Sequence, residues 1–322
     1  MRPLSWVTNP VFAGTQALVL MILPMGLPVL VPLQIFAPLP VLLTALWGGA
    51  QSAWIGATIP VVGAFLLGDG LRFPLTAFLL FFGFPMLAAH LIRAGWRVNQ
   101  CLASAFLLGM GALLLLFVWS LVMGLDMQAE TALQLDGFKN KVLAAIAKEG
   151  GNAVVLTEAR AVLTPILDML SLLMPAFVVS GWFLMHVVNL LAARFLVRRW
   201  GGEGLFAGED LTEWRPPFQL VWVVIASGVF AYAAQGFSRQ LGANLFLLFT
   251  ILYFLQGMAI IQAGFRHHAV AGVWRTLFYL ALFFWHQVVL FVAAVGLFDI
   301  WVDFRKRFFR TSHDGDDSPG SE

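Results

Sequence analysis

The chain has 322 residues, 60% of them hydrophobic and 11% charged, and a formal net charge of +2. Because an ordinary soluble domain is about 45–50% apolar and about 25% charged, this composition excludes a water-soluble globular protein. Lys and Arg are scattered between apolar runs rather than gathered on one face, which argues against a nucleic-acid-binding surface. The single cysteine, Cys101, excludes an intrachain disulfide and a Cys-based zinc site.

The apolar runs are continuous and about twenty residues long, which is the length an α-helix needs to cross a bilayer. Strands of a membrane barrel would instead alternate in polarity over about ten residues. In hydrocarbon every backbone polar group must be paired within the structure, which leaves helices for runs of this kind. The sequence therefore predicts an all-α fold, a polytopic transmembrane helical bundle of about nine (eight to nine) spans with one amphipathic extramembrane segment.

Three prolines interrupt the first predicted span, residues 11–33, so we expect this span to bend. Residues 36–67 form a run too long for one straight crossing at about 1.5 Å of rise per residue. The segment Trp47-Gly48-Gly49-Ala50-Gln51 predicts a break that gives two short helices, and one tilted helix is the alternative. Two further spans are predicted at residues 71–92 and 103–125.

Residues 126–160 interrupt the hydropathy with charges of both signs. Within them four apolar residues from Leu135 to Ile146 recur at helical spacing, which predicts an amphipathic helix on the membrane surface or on the bundle. Gly150-Gly151 is predicted to end this helix. The segment is the predicted extramembrane insertion.

The run at 157–197 exceeds the thickness of a bilayer core, so its start is predicted to project into the headgroups. The last three spans are predicted at residues 218–235, 243–264 and 274–298. An acidic tail rich in turn-forming residues, 311–322, is predicted to be disordered. Residues 1–310 are then a single transmembrane domain that contains the insertion.

The distribution of Lys and Arg predicts the orientation, because cytoplasmic loops collect these residues. With nine spans and the amino terminus inside, most arginines beside the short loops are cytoplasmic: Arg2, Arg93, Arg97, Arg194, Arg198, Arg199, Arg215, Arg266 and Arg275. The same count leaves one conflict, since it places Arg305-Lys306-Arg307 outside. Merging residues 36–67 into one span places the carboxyl terminus inside. It also places two other arginine clusters outside the cell: Arg93 with Arg97, and Arg194 to Arg199. The pattern predicts a multi-pass membrane protein.

Polar side chains inside the predicted spans are costly in hydrocarbon unless they find partners. Asp168 lies either at headgroup depth as a solvated acid or in the interior as an ion-pair partner or solute ligand. His186 lies eighteen residues further along the same run, on the same helical face, and Asn189 lies about one turn beyond. The last two spans add further candidates for a polar interior: Asn244, Gln256, His286 and Gln287. One cavity would explain these groups together, and so would a bundle held by scattered hydrogen bonds.

Small residues about four or seven apart form a second candidate surface, because they let another helix approach closely. They lie in the first span and in the run that follows it: Ala13, Ala17, Gly49, Ala53, Gly56 and Gly63. Internal packing is the default interpretation of this face, and contact with a partner protein is the alternative.

At the end of the last span, Asp299, Asp303 and Arg305 form a third candidate. If the helix continues, the two carboxylates are four residues apart on one face. They are then either a solvated helix end whose charges neutralise each other or a docking motif for a partner.

Two segments resemble known families. The ending GLFDIWVDFRKR at 296–307, with Gln256-Gly257 in the span before it, resembles the YybS-like predicted bacterial membrane proteins, which carry domain of unknown function 2232. This resemblance covers nearly the whole chain. Residues 40–56, PVLLTALWGGAQSAWIG, are similar to S-components of energy-coupling-factor vitamin transporters. Those proteins bind a solute within a six-helix core and contact a partner through an Ala-x-x-x-Ala pattern, a spacing that Ala13 and Ala17 match.

No Walker A loop, His-Glu-x-x-His, Gly-x-Ser-x-Gly or dinucleotide-binding glycine motif occurs in the sequence. We therefore expect neither an enzymatic activity nor a cofactor. The favoured hypothesis is a small-solute-binding or transport component that resembles an S-component and needs a separate energising partner. The alternative is a structural or assembly factor of the bacterial cell envelope that acts by protein–protein contact. The expected partners are the lipid bilayer, a membrane protein and a small solute, and not nucleic acid.

Overall fold

Helices account for the regular structure of the residues that the computed structural model describes, which are 8–67, 72–200, 202–206 and 214–306. The predicted tail at 311–322 lies outside the described residues. The α-helices are, in chain order, α1 (Pro10–Gly26), α2 (Pro38–Leu67), α3 (Arg72–Ala77), α4 (Phe84–Arg93), α5 (Val98–Met123), α6 (Met127–Lys148), α7 (Ala153–Arg199), α8 (Leu220–Ala233), α9 (Gly236–His267), α10 (Gly272–Phe284) and α11 (His286–Val302). Three other helical segments occur: a 3-10 segment after α1 (Pro28–Phe36), a π turn between α3 and α4 (Phe78–Gly83) and a 3-10 turn after α7 (Glu203–Phe206).

Five helical stretches of the described chain are long and apolar enough to cross a bilayer, or six if α10 and α11 form one bent span. The helices α1 and α8 are apolar but shorter. The predicted all-α class of a helical membrane protein is thus confirmed. The number of spans stays a prediction.

The described residues divide into two compact units. Unit 1 holds those up to Gly111 and those from 180 to 206, so it contains α1 to α4, the first half of α5 and the second part of α7. Unit 2 holds those from 112 to 179 and from 214 onward, including α6 and α8 to α11. The prediction of a single transmembrane domain is not tested by this division.

In unit 1, α1 packs along α2 through small residues. A Cβ atom on Gly14 would lie 2.6 Å from the carbonyl oxygen of Gly56, so the two backbones approach more closely than larger residues would allow. The predicted small-residue face is covered within the chain: Ala13, Ala17, Gly49, Ala53 and Gly56 are buried, and Gly63 is half-buried against Leu18. This burial favours internal packing over contact with a partner protein as the interpretation of the face.

Two predicted interruptions of the first spans occur where the sequence indicated. The backbone of α2 is non-helical at Gly49, with φ of 77° and ψ of −165°, a conformation that glycine adopts without a steric cost. The break predicted between Trp47 and Gln51 is therefore confirmed. In the proline-rich first span, α1 ends at Gly26 and the chain continues as the 3-10 segment.

The predicted amphipathic segment forms α6, which begins at an Asp126 cap. The Asp126 carboxylate accepts hydrogen bonds from the backbone N–H groups of Gln128 and Ala129, both at 3.0 Å. The helix ends before Gly150, whose φ of +91° reverses the chain. The next helix, α7, begins at Ala153, four residues before the predicted start of the run at residue 157, after an Asn152 side chain that accepts from its first turn.

The last predicted span, residues 274–298, is not one helix. It is divided at Trp285 into α10 and α11, whose axes are bent by 108°. Neither glycine nor proline stands at this break. The sequence therefore contains no turn-forming residue that would have predicted the bend.

In unit 2, α9 and α11 cross at two glycines. A Cβ atom on Gly257 would lie 1.9 Å from the carbonyl oxygen of Val292, and one on Gly296 would lie 1.8 Å from that of Tyr253. No side chain fits at these distances. Gly257 and Gly296 therefore allow the two helices to touch backbone to backbone.

The residues after α11 contact the segment before α8. The Arg215 guanidinium donates to Asp303 at 2.6 Å, and Arg305 donates to the carbonyl oxygen of Trp214 at 3.1 Å. If the two segments lie on the same side of a membrane, the chain crosses it an even number of times between Arg215 and Asp303. A re-entrant α10–α11 pair satisfies this condition and the nine-span orientation does not, so the contact favours the re-entrant pair, and the orientation stays a prediction.

We expect Gly257→Ala to destabilise the protein, because the new methyl group forces α9 and α11 apart. Overpacking of this kind costs about 1–3 kcal/mol, which should lower the melting temperature in detergent measured by fluorescence-detected size exclusion. The matched control is Gly181→Ala, since no heavy atom lies within 4 Å of a Cβ at this helical position. Equal melting temperatures for the two variants would contradict the described crossing.

Reporter fusions test the orientation. A fusion after residue 150 is expected outside, whereas fusions after residues 268 and 322 are both expected inside, because the re-entrant pair returns the chain to the side of Arg215. Paired alkaline phosphatase and green fluorescent protein fusions measure the side directly. A fusion after residue 322 that reports the outside would restore the nine-span count.

Candidate functional site

His186 binds the irregular backbone between α3 and α4. Its ring is 1% exposed and lies between Phe84 and Trp182, with ring centroids 5.0 and 4.7 Å away. Its Nε2 atom lies 3.2 Å from the carbonyl oxygen of Leu80 in the π turn. Because a carbonyl only accepts, Nε2 is assigned the proton, and Nδ1 of the neutral ring is an acceptor. This Nδ1 atom is buried and has no hydrogen-bond partner.

Asn189 lies one turn further along α7 and binds a second irregular segment. Its amide nitrogen donates to the carbonyl oxygen of Ile35, in the 3-10 segment, and to that of Met185, each at 2.7 Å. Both amide hydrogens are therefore used. The amide oxygen Oδ1 is buried without a partner, so it also remains able to accept a hydrogen bond.

Arg93 binds the third irregular point of unit 1, the break of α2 at Gly49. Its Nη1 atom donates to the carbonyl oxygens of Leu46 at 2.9 Å and Trp47 at 3.3 Å. In an uninterrupted helix these carbonyl oxygens would accept hydrogen bonds from the backbone N–H groups one turn further on. The sequence indicated Arg93 only as a marker of orientation, because the contact joins residues 46 positions apart and no spacing rule connects them.

In unit 2, Asn244 enters the backbone of α7 beside Pro175. Its Oδ1 accepts from the N–H of Ala176 at 2.8 Å, and its Nδ2 donates to the carbonyl oxygens of Leu172 at 2.7 Å and Gln240 at 2.8 Å. In a regular helix the N–H group of residue 176 would donate to the carbonyl oxygen of residue 172. The side-chain amide of Asn244 lies between these two groups and replaces that backbone hydrogen bond. Every hydrogen-bonding position of Asn244 that the fold needs is filled.

The remaining candidates for a polar interior are placed differently. Asp168 is exposed on α7, and only its carbonyl oxygen, which accepts from Ser171, is hydrogen-bonded to a side chain. Exposure favours the interpretation of Asp168 as a solvated acid. Gln287 is exposed at the start of α11. The side chain of His286 lies outside what the structure describes.

Gln256 and Asp299 meet in a group of charged and polar residues that we call the C-terminal ionic cluster, in which Gln256, Asp299 and Arg305 are buried and two outer members are not: Arg215 and Asp303. The Asp299 side chain is 0% exposed and accepts from Gln256 at 3.1 Å and from the N–H of Phe304 at 2.8 Å. Arg305, 7% exposed in its side chain, lies 3.6 Å from it. The Gly257–Gly296 crossing positions Gln256 for this contact, because it presses α9 against α11.

The prediction of two carboxylates on one face depended on a continuing helix, and the helix does not continue. The helix α11 ends at Val302, and Asp303 adopts a left-handed conformation with φ of 47°. Asp299 turns inward and accepts from the chain that follows, whereas Asp303 faces outward to Arg215 and Lys306, at 2.6 and 2.9 Å. The two carboxylates therefore have separate roles.

The hydrogen bond from Lys306 is the largest influence on the pKa of Asp303, and it lowers it below the ordinary value. Partial burial opposes this, and Arg215 adds to the lowering. A lowered carboxyl pKa stabilises the fold above the ordinary pKa of Asp, and that stabilisation is lost as the pH falls through the lowered value. The outer part of the cluster should therefore loosen only in acid.

The cluster joins three parts of unit 2: the segment before α8, α9, and the end of α11. Its charges are engaged with each other, so it can fix these elements but offers a partner little free charge beyond Lys306, whose side chain is 82% exposed. Arg215 was missed as a member because its partners are more than eighty residues away in the sequence.

We expect Asp299→Asn to destabilise the protein strongly, because it leaves the buried Arg305 without its countercharge. Breaking a buried ion pair costs about 3–5 kcal/mol. The matched control is Asp303→Asn, which removes a charge from exposed ion pairs worth about 1 kcal/mol or less at a left-handed position that Asn tolerates. Melting temperatures in detergent compare the two, and a larger loss for Asp303→Asn would show that the buried charge is not the important one.

Comparison with known proteins agrees with the membrane architecture. Residues 16–300 match the model of a family described as predicted membrane protein (DUF2232). No curated protein and no solved structure shows significant similarity to the chain. The resemblance to this family is thereby confirmed, whereas the likeness to S-components stays an expectation. Because the match covers most of a chain whose helices are long and apolar enough to span a bilayer, the protein belongs to the DUF2232 family of predicted membrane proteins.

Proposed function

We propose that this protein is a small-solute-binding or transport component of a bacterial inner membrane that works with a separate energising partner. The observation that carries the proposal is the irregular backbone of unit 1. Within its described residues, helical geometry is interrupted in the 3-10 segment after α1, at Gly49 in α2 and in the π turn before α4. A polar or charged side chain binds at each of these places: Asn189 at the 3-10 segment, Arg93 at Gly49 and His186 at the π turn, of which Asn189 and His186 are buried.

Interrupted helices have a physical meaning in a membrane. Non-helical backbone at membrane depth is tolerated only where protein buries it or where it lines a cavity. Transporters place their solutes and coupling ions at such interruptions, because the freed backbone groups can bind them, and π turns are frequent at functional sites. A protein that only spanned the membrane would gain nothing from three costly breaks.

The chemistry of the pair on α7 indicates the kind of solute. His186 Nδ1 and Asn189 Oδ1 are both acceptors, both buried and both without a partner. They lie one helical turn apart, about 5 Å along the axis. A solute that satisfies them carries N–H or O–H groups, as amines, amides and alcohols do.

The energising partner is proposed because the sequence contains no nucleotide-binding motif. Ala13 and Ala17, which match the partner-contact spacing of S-components, are buried against α2. A partner must therefore use another surface. The helix α6 offers one, since Leu133 and Phe138 are 68% and 55% exposed.

The exposed apolar residues of α6 also favour the second candidate function, an envelope assembly factor that acts by protein contact. The two candidates differ in what stays bound after mild extraction from the membrane. A solute carrier retains a small molecule, whereas an assembly factor retains a protein partner.

Native mass spectrometry of the detergent-extracted protein tests the proposal. We expect one non-lipid small molecule per chain, with occupancy roughly tenfold lower in His186→Phe, since loss of a hydrogen bond costs about 0.5–1.5 kcal/mol. Phenylalanine keeps the ring packing with Phe84 and Trp182 but removes both ring nitrogens. The control is Thr58→Val, whose hydroxyl bonds only to the carbonyl of Trp54 in its own helix.

A wild-type protein that carries only lipid and detergent would contradict solute binding. A stoichiometric protein partner in the same spectra would favour the assembly function.

A further inference from the structure

Unit 1 contains an apolar groove that the proposed function does not use. Its volume is about 550 Å³, within the range of about 300–1,000 Å³ typical of ligand sites. The start of α1 and α2 and the end of α7 form it, with Val19, Leu20, Leu43 and Leu196 among its walls. Phe12 and Val19 on its rim are 44% and 51% exposed, so the groove is open at the side.

One end of this groove is aromatic and positively charged. Trp200 lines the groove, and its ring lies 5.9 Å from that of Trp47. The carbonyl oxygen of Trp47 in turn accepts from Arg93 at 3.3 Å. Tryptophan at such an end is typical of the headgroup level of a bilayer.

The arginines at this end lack anionic partners among the described residues. Arg93 donates to carbonyl oxygens, and so does Arg198, which bonds to Phe206 at 3.1 Å. Arg199 directly precedes Trp200 and is exposed. None of the three is paired with a carboxylate, so their positive charges are not neutralised within the described chain.

From this combination we infer that the groove binds one anionic phospholipid of the cytoplasmic leaflet. An acyl chain lies along the leucine walls, and the phosphate meets Arg199 beside the two tryptophans. The chemistry fits because apolar walls recognise the chain and uncompensated guanidinium groups recognise the headgroup charge. The positive-inside rule places the arginines on the cytoplasmic face, where anionic lipids attract basic residues.

Lipid exchange followed by native mass spectrometry tests this inference. Detergent-purified protein is mixed with equal amounts of phosphatidylglycerol and phosphatidylcholine, and the lipid that remains bound is counted. We expect one phosphatidylglycerol per chain in preference to phosphatidylcholine. Arg199→Gln should lower its retention about fivefold, the effect of removing one basic residue near an anionic lipid.

Two variants separate the groove from the charge. Val19→Trp fills the groove from its rim and should reduce bound phosphatidylglycerol to the level of phosphatidylcholine, and Thr15→Phe does the same if the first variant fails to fold. The controls are Val62→Trp, at a similarly exposed position outside the groove, and Arg160→Gln, an exposed arginine elsewhere on α7. Both should retain the lipid.

Equal retention of the two lipids by the wild-type protein would overturn the inference. So would unchanged phosphatidylglycerol binding in both Arg199→Gln and a folded groove-filling variant. The proposed solute site is independent of these outcomes, because it uses different side chains and a non-lipid ligand.

Discussion

Backbone groups must be paired where water is absent, and this constraint organises the described structure. Long helices satisfy it by themselves. Each interruption instead creates carbonyl or N–H groups that need a partner from elsewhere. His186, Asn189 and Arg93 supply that partner in unit 1, and Asn244 supplies it in unit 2. The polar residues inside the apolar runs are therefore first of all ligands of the protein's own backbone.

This use of polar side chains changes how they bear on function. A polar group inside a span is only a candidate for solute binding if it keeps a free hydrogen-bonding position after the backbone is satisfied. Asn244 has no side-chain atom without a partner, because its oxygen and nitrogen together replace one backbone hydrogen bond of α7. His186 and Asn189 each keep one buried acceptor. A remaining acceptor, rather than polarity itself, distinguishes this pair from Asn244.

Features that depend on local sequence could be predicted, and features that depend on contacts distant in the chain could not. The break at Gly49, the Asp126 start of α6 and the end of α6 at Gly150 follow from glycine conformation and from hydropathy. Asp168 and His186 were predicted to share a helical face, but eighteen residues of helix rise about 27 Å. A shared face is therefore not in itself a shared site, and their convergence stays a prediction.

The orientation shows what charge can reveal that hydropathy cannot. Hydropathy does not distinguish a last span that crosses the membrane from one that turns back within it, because both need an apolar run of the same length. The basic residues at 305–307 conflicted with a crossing, since they would lie outside. A re-entrant α10–α11 pair removes the conflict, and the contact between Arg215 and Asp303 is the observation that favours it, because it holds the end of α11 beside the segment before α8. A violation of the positive-inside rule at one end of an otherwise consistent chain is thus evidence against the last crossing rather than against the rule.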